Sequence, residues 1–268
     1  MLVCHFNYKT ISNIFNAIKV NDEIHFRISS TSIYSIVFNT DGTVAVEWVF
    51  ERSAQDTHTF DDEVSFCVAK KTMAEQLKAG RDGDVARFIY DGQGYRFCYE
   101  NKSIGRSYES VCFPTIKAEE ETRGFAENTP PCTLIMSSVE FKSMMAKIVT
   151  MEDPPLAGKS VQITTLMSER CVYFSSKTSA QPYKFKYDTH ALDEKVKDPS
   201  NTTVRMKSDG NVDVYLSLKE LLRISEAVAL NPEIQIRLSE KNMNEFLFIV
   251  ANERSSVLFR LAPMMAVD

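Results

Sequence analysis

The sequence predicts an α+β fold of two pseudo-symmetric domains. Each has two strand–helix–three-strand units, with the helices on one face of antiparallel sheets. Three observations predict it. The stretch Asn211–Asn231 changes period midway, from strand to helix. The same change occurs at three earlier places. A proline-bounded, acidic segment divides the chain near its middle.

In Asn211–Asn231, Val212, Val214 and Leu216 alternate with Asp213, Tyr215 and Ser217, which is the period of a half-buried strand. Leu218, Leu221, Leu222 and Ser225 then fall at i, i+3, i+4 and i+7, opposite Lys219, Arg223 and Glu226. That is an amphipathic helix with an apolar floor and a charged roof. Strands at Ile234–Leu238, Phe246–Val250 and Val257–Leu261 follow, and Pro263 stops further pairing.

The first unit opens at the N-terminus. Leu2–Tyr8 is a strand, and Ile11, Ile14, Phe15 and Ile18 give a helix face. Strands follow at Glu23–Ile28, Ser32–Phe38 and Val44–Phe50. The turn Asn39-Thr-Asp-Gly42 joins the last two, because Asp-Gly readily supplies positive φ angles. The polar stretch Glu51–Asp62 leads to the second unit, VSFCVAKKTMAEQLKAG after Glu63. Its strands are Val85–Tyr90, Tyr95–Tyr99 and Ser107–Cys112. The glycines of Asp91-Gly-Gln-Gly94 are turn residues. Residues 1–112 thus make the first domain.

Phe113–Pro131 has proline near both ends, the run Glu119-Glu-Glu121 and no clear period, so it reads as an extended linker. The second domain, 132–268, opens with a strand at Cys132 and a helix face of Phe141, Met144, Met145 and Ile148. Strands at Val161–Leu166, Cys171–Ser175 and Tyr183–Tyr187 follow, then a polar connection over Asp188–Ser200. The pattern expects Ile14, Ile18, Met73, Leu77, Met144, Ile148, Leu221 and Leu222 in the core.

Length and composition bound the function. The 268 residues are 44% hydrophobic, enough for a sizeable core or two. No apolar run approaches the ~18 residues of a membrane span, and the N-terminus shows no secretory leader. The six cysteines are scattered without a CxxC, so neither a disulfide framework nor a zinc site is expected, and the usage suits a reducing compartment. The four histidines, His5, His25, His58 and His190, are isolated in sequence and read as ordinary surface or core residues. No cofactor or metal is expected. There is no phosphate-binding glycine loop, HExxH or nucleophile elbow, so the chain does not read as an enzyme. The acidic pairs Asp61-Asp62 and Glu152-Asp153 read as solvated turns.

The net charge of −5 argues against a nucleic-acid binder unless the basic residues are gathered on one face. The helices suggest that they are. The first carries Lys9 and Lys19; the second Lys70, Lys71 and Lys78, then Arg81; the third Lys142 and Lys147; the fourth Lys219 and Arg223. Lysines on a single helix are ordinarily a solvated face. Sets in equivalent places on four helices point to one basic surface.

The order strand–helix–three strands, twice per domain in two domains joined by an acidic linker, resembles the sliding-clamp family of proliferating cell nuclear antigen. The resemblance covers essentially the whole chain. Its most specific pieces are FNAIKVNDEIHFRISSTSIYSIVFNTDG, the tail from YLSLKELLRISEAVALN onward, and the ending Leu261-Ala-Pro263. The family's Met-Asp and Ser-His-Val around the first hairpin read here as Phe38-Asn39 and Asp41-Gly42-Thr43, so the chain looks like a divergent member.

The resemblance implies a ring around double-stranded DNA, held without sequence preference and lined by the helices. Loose phosphate contacts from Lys and Arg permit sliding. It implies a processivity factor of replication and repair, working in the nucleus or at a viral replication site. The alternative is one subunit of the related heterotrimeric checkpoint clamp of DNA-damage signalling. Implied partners are like or unlike clamp subunits, a clamp loader, and DNA polymerase and other motif-bearing clients. Ring closure would use Ser107–Cys112 and Arg170–Lys177 as edge strands. The client pocket would take Phe38, Thr43 and Ala45, then Ile116 and Phe125, then Ala262, Pro263 and Met264. Phe125 has an alternative role, pinning the linker to its own domain.

Overall fold

The computed structural model describes residues 1–18, 21–39, 42–51, 56–59, 63–117, 130–176, 182–192, 204–250 and 255–264. It is a mixed α/β chain of four α-helices and large antiparallel sheets among the described residues. Two compact units emerge. One takes 1–124 with Ile249–Val257, the other 125–248 with 258–268. No described helix is long and apolar enough to cross a membrane.

The first unit runs β1 (Leu2–Asn7), α1 (Tyr8–Ile18), β2 (Glu23–Ile28), β3 (Ser32–Phe38), β4 (Val44–Glu51), β5 (Thr57–His58), β6 (Val64–Ala69), α2 (Lys70–Leu77), β7 (Val85–Tyr90), β8 (Gly94–Asn101), β9 (Arg106–Glu109), β10 (Phe113–Pro114) and β11 (Ile116–Lys117). Ile11, Ile14, Phe15 and Ile18 are buried, as their spacing expects. So are Met73 and Leu77 of α2. A Cβ at Gly80, just beyond α2, would overlap the rings of Tyr8 and Tyr99, so only glycine lets the chain pass there.

The leading strands are exchanged between the two repeats of this unit. β1 does not pair with the meander of its own repeat. It pairs antiparallel with β7, placing Leu2 opposite Tyr90 and Asn7 opposite Val85. β6 instead pairs with β2, placing Ile24 opposite Val68 and Ile28 opposite Val64. The two sheets meet through aromatic side chains. Phe66 stacks on Tyr90 with ring centroids 4.2 Å apart. Phe26 lies 5.6 Å from Phe66 and 6.1 Å from Phe88. Such rings bury large apolar areas and dominate the energetics of a core. The indole of Trp48 donates to Ser255 Oγ at 2.7 Å, satisfying its buried N–H.

The second unit runs β12 (Cys132–Ser137), α3 (Ser138–Met151), β13 (Ser160–Leu166), β14 (Cys171–Ser176), β15 (Tyr183–Ala191), β16 (Val204–Ser208), β17 (Val212–Ser217), α4 (Leu218–Glu226), β18 (Glu233–Leu238), and most of β19 (Asn244–Val250) and β20 (Ser255–Leu261), whose residues from Ile249 to Val257 belong to the first unit. Ser137 caps α3, its hydroxyl accepting from Glu140 N–H in a Ser-x-x-Glu frame. The exchange recurs here. β12 pairs with β18, and β17 pairs with β13.

Four expectations need correction. Val204–Ser208 is a strand, antiparallel to β12 and parallel to β15, where the sequence offered too short an alternation to read. β15 continues to Ala191 because Thr189 turns into the core while Asp188 stays out, which hides the strand inside a polar run. The expected linker starts as strand: Phe113 pairs opposite Tyr95, and Ile116 opposite Cys67. Leu222 is only half-buried, because α4 buries Leu218, Leu221, Ile224 and Ser225.

Candidate nucleic-acid interface

The exposed helix faces decide which cations are available. On α1, Lys9 is exposed; Lys19 lies outside the described residues. On α2, Lys71, Glu75 and Lys78 are exposed at i, i+4 and i+7, and Arg81 is exposed in the turn beyond. The buried Met73, Gln76 and Leu77 fix this orientation. On α3, Lys142 and Lys147 are exposed, and burial of Phe141, Met144, Met145 and Ile148 turns them outward. On α4, Lys219 is exposed. Helices α3 and α4 pack against each other, so Lys142, Lys147 and Lys219 belong to one helical layer of the second unit.

Of the nine expected cations among the described residues, two are already engaged. Lys70 Nζ sits 2.8 Å from Asp22 Oδ1, and this lysine holds the Asp22 carboxyl below the usual carboxylate range. Arg223 sits 3.1 Å from Glu220, a residue that is itself buried on α4. Both offer phosphate less than a free side chain would, since the local charge is balanced.

The expected client surface divides between the units. Phe38 is half-buried and Thr43 exposed, flanking a turn in which Asn39 Oδ1 accepts from Val44 N–H at 2.9 Å. Ala45 is fully buried and cannot meet a partner, because β4 buries both faces there. Ile116 is 48% exposed on the short strand β11. Phe125 lies outside the described residues. In the second unit, Ala262, Pro263 and Met264 are half-buried, and Met264 N–H donates to Tyr215 O at 2.8 Å.

The expected edge strands also change. Arg170–Lys177 contributes β14, which is interior, paired with β13 on one side and β15 on the other. The open edge belongs to β15. Beyond β14 it meets only β16, through Thr189–Ala191, which leaves Tyr183–Asp188 without a second partner strand among the described residues. In the first unit, β9 covers Arg106–Glu109 within and just before the expected Ser107–Cys112, and among the described residues it pairs only with β8. Ile104, Tyr108 and Val111 beside it are exposed by 67%, 43% and 70%. Arg106 binds the buried Asp84 carboxylate and Ala79 O, tying β9 to the turn after α2.

The reading of Glu152 as part of a solvated turn fails, and His25, isolated in sequence, gains neighbours in the fold. Glu152 is buried rather than solvated, and Lys159 Nζ lies 2.8 Å from its Oε2. His25 is not alone. It faces Cys67 across the β2–β6 pair, with Sγ and Nδ1 3.1 Å apart, and Glu23 joins them on the same face. The donor atoms of Glu23, His25 and Cys67 lie within 4.8 Å of one another. Burial, and then the charge of Glu23, push the Cys67 thiol up to about 11. A protonated, buried thiol is a poor nucleophile. The only sequence signal for this cluster is Glu-x-His in a strand, since Cys67 lies far away in the chain.

Comparison with known protein families and with curated proteins finds no match for this chain.

Proposed function

We propose that this chain is one subunit of a sliding clamp, a non-catalytic ring that encircles duplex DNA and tethers polymerases and other clients to it. The exchanged leading strands carry this reading. In both units the first strand of each strand–helix–three-strand repeat pairs with the meander of the other repeat. Four repeats with one exchange pattern are what a two-domain clamp subunit requires. Exposed lysines on each described helix add support, because a sequence-independent grip on phosphate needs nothing more specific.

The two open edges support ring closure. An unpaired strand bordered by exposed apolar side chains is a liability unless something covers it. Pairing β9 of one subunit with β15 of the next would be a head-to-tail contact, which makes a closed ring when the rotation between subunits closes. The nucleus, or a viral replication site, is where such a ring would act.

The test is the solution mass of the pure chain, combined with retention on circular DNA. A trimer that stays on a closed circle and slides off once it is linearised supports the replicative clamp. A chain monomeric at every concentration points to the checkpoint-type subunit, which assembles with unlike partners. A chain of any size that gains nothing from circular DNA removes the clamp reading.

A further inference from the structure

We propose that Glu23, His25 and Cys67 form a zinc site on the outer face of the β2–β6 pair, with a fourth position open to water. The geometry is that of a sheet-built metal site. Glu23 and His25 are two apart on one strand, so they project from one face. Cys67 is the direct cross-strand partner of His25, and Ile116 on β11 is its partner on the other side. All three donor atoms fall within 4.8 Å of one another. A tetrahedral zinc with ordinary bond lengths holds sulfur and nitrogen about 3.5 Å apart. The 3.1 Å between Cys67 Sγ and His25 Nδ1 needs only a small opening to reach that.

The strand pattern isolates this face from the core. Ile24, Phe26, Ile28, Phe66 and Val68 are buried on the opposite side. Cys67 is nevertheless only 2% exposed, while Glu23 is exposed and His25 half-buried, so the cluster opens at the Glu23 end. A thiolate, an imidazole and a carboxylate are a donor set suited to zinc, and three protein ligands leave one coordination position free. On binding, the Cys67 S–H bond is replaced by S–Zn and the proton passes to solvent. The metal would clip β2 to β6 beside β11, the last described strand before residue 118.

Cobalt(II) is the probe, because a thiolate bound to it gives a sulfur-to-metal charge-transfer absorption. The expected result is one cobalt per chain with that absorption, displaced by zinc. It should vanish in Cys67→Ser and persist in Cys112→Ser, a change at an exposed cysteine. His25→Gln should weaken binding by about a hundredfold or more, beyond the loss typical of an outer-shell partner. Thermal unfolding without metal shows whether each variant folds. If Cys67→Ser does not fold, His25→Gln at a half-exposed position decides, and unchanged cobalt affinity there overturns the site. No charge-transfer band in the wild-type chain, or one that survives in folded Cys67→Ser, overturns it as well.

Discussion

Lys159 Nζ lies 2.8 Å from Glu152 Oε2, and the Glu152 side chain is wholly withdrawn from solvent. Glu152 ends α3, and the carbonyl of Lys159 accepts from Leu218 N–H at the start of α4. The ion pair therefore fixes the connection between α3 and β13 against the first turn of α4. Removing only the lysine leaves a buried charge with no counterion. Lys159→Met should cost about 3–5 kcal/mol, whereas Lys159→Met combined with Glu152→Leu should recover most of it. Denaturant unfolding of the three proteins checks this. A single variant within half a kcal/mol of wild type, by contrast with the cost of an orphaned buried charge, would mean that water reaches Glu152.

The orientation of α4 makes a second prediction. Leu221 is fully buried and Leu222 half-buried, although both match the helical spacing in the sequence. Leu221→Ala should cost about 2–5 kcal/mol, the range for a core leucine, and Leu222→Ala clearly less. Equal losses would mean that the helix is rotated by part of a turn.

Free and engaged cations should separate in DNA binding. Lys71, Lys78, Lys142, Lys147 and Lys219 are exposed, while Lys70 is paired with Asp22 and Arg223 with Glu220. Each exposed lysine changed to Ala should lower the slope of log affinity against log salt by about one, uniformly across DNA sequences. Lys70→Ala should lower it less, because breaking its bond to Asp22 offsets any phosphate contact. A fivefold lysine variant with an unchanged salt slope would falsify the proposal that the helices line a DNA channel.

Periodicity carried much of the fold because apolar side chains must leave water at the spacing of their own element. Ile11, Ile14, Phe15 and Ile18 show this, as do Phe141, Met144, Met145 and Ile148. Pairing across the sheet was less legible. Nothing local to β1 says that it joins β7, since that register is set by long-range burial. The same limit hid the Glu23–His25–Cys67 cluster and the Glu152–Lys159 pair, whose members meet only after the chain turns back. It also misplaced the open edge, because β14 and β15 have similar alternation and only topology distinguishes the interior strand. Ala45 is expected in the client pocket, yet β4 buries it completely.

The open edge at β9 makes the last prediction. Val111 and Ile104 flank β9, are 70% and 67% exposed, and lie outside the core of their unit. Substitutions at such positions usually change stability by about half a kcal/mol or less. A charge placed there should leave folding intact and act only on assembly, by putting an ammonium group where a neighbouring strand would exclude water. On the proposed ring, Ile104→Lys with Val111→Lys should therefore lower the mass in light scattering from a trimer toward a single chain. The melting temperature, measured at a concentration where both proteins are monomeric, should stay close to wild type. The paired control is Met167→Lys, at a residue 42% exposed in the turn between β13 and β14. It should leave the mass unchanged. If a trimer forms and survives the double substitution, closure does not use β9, and the exposed apolar residues beside it require another occupant.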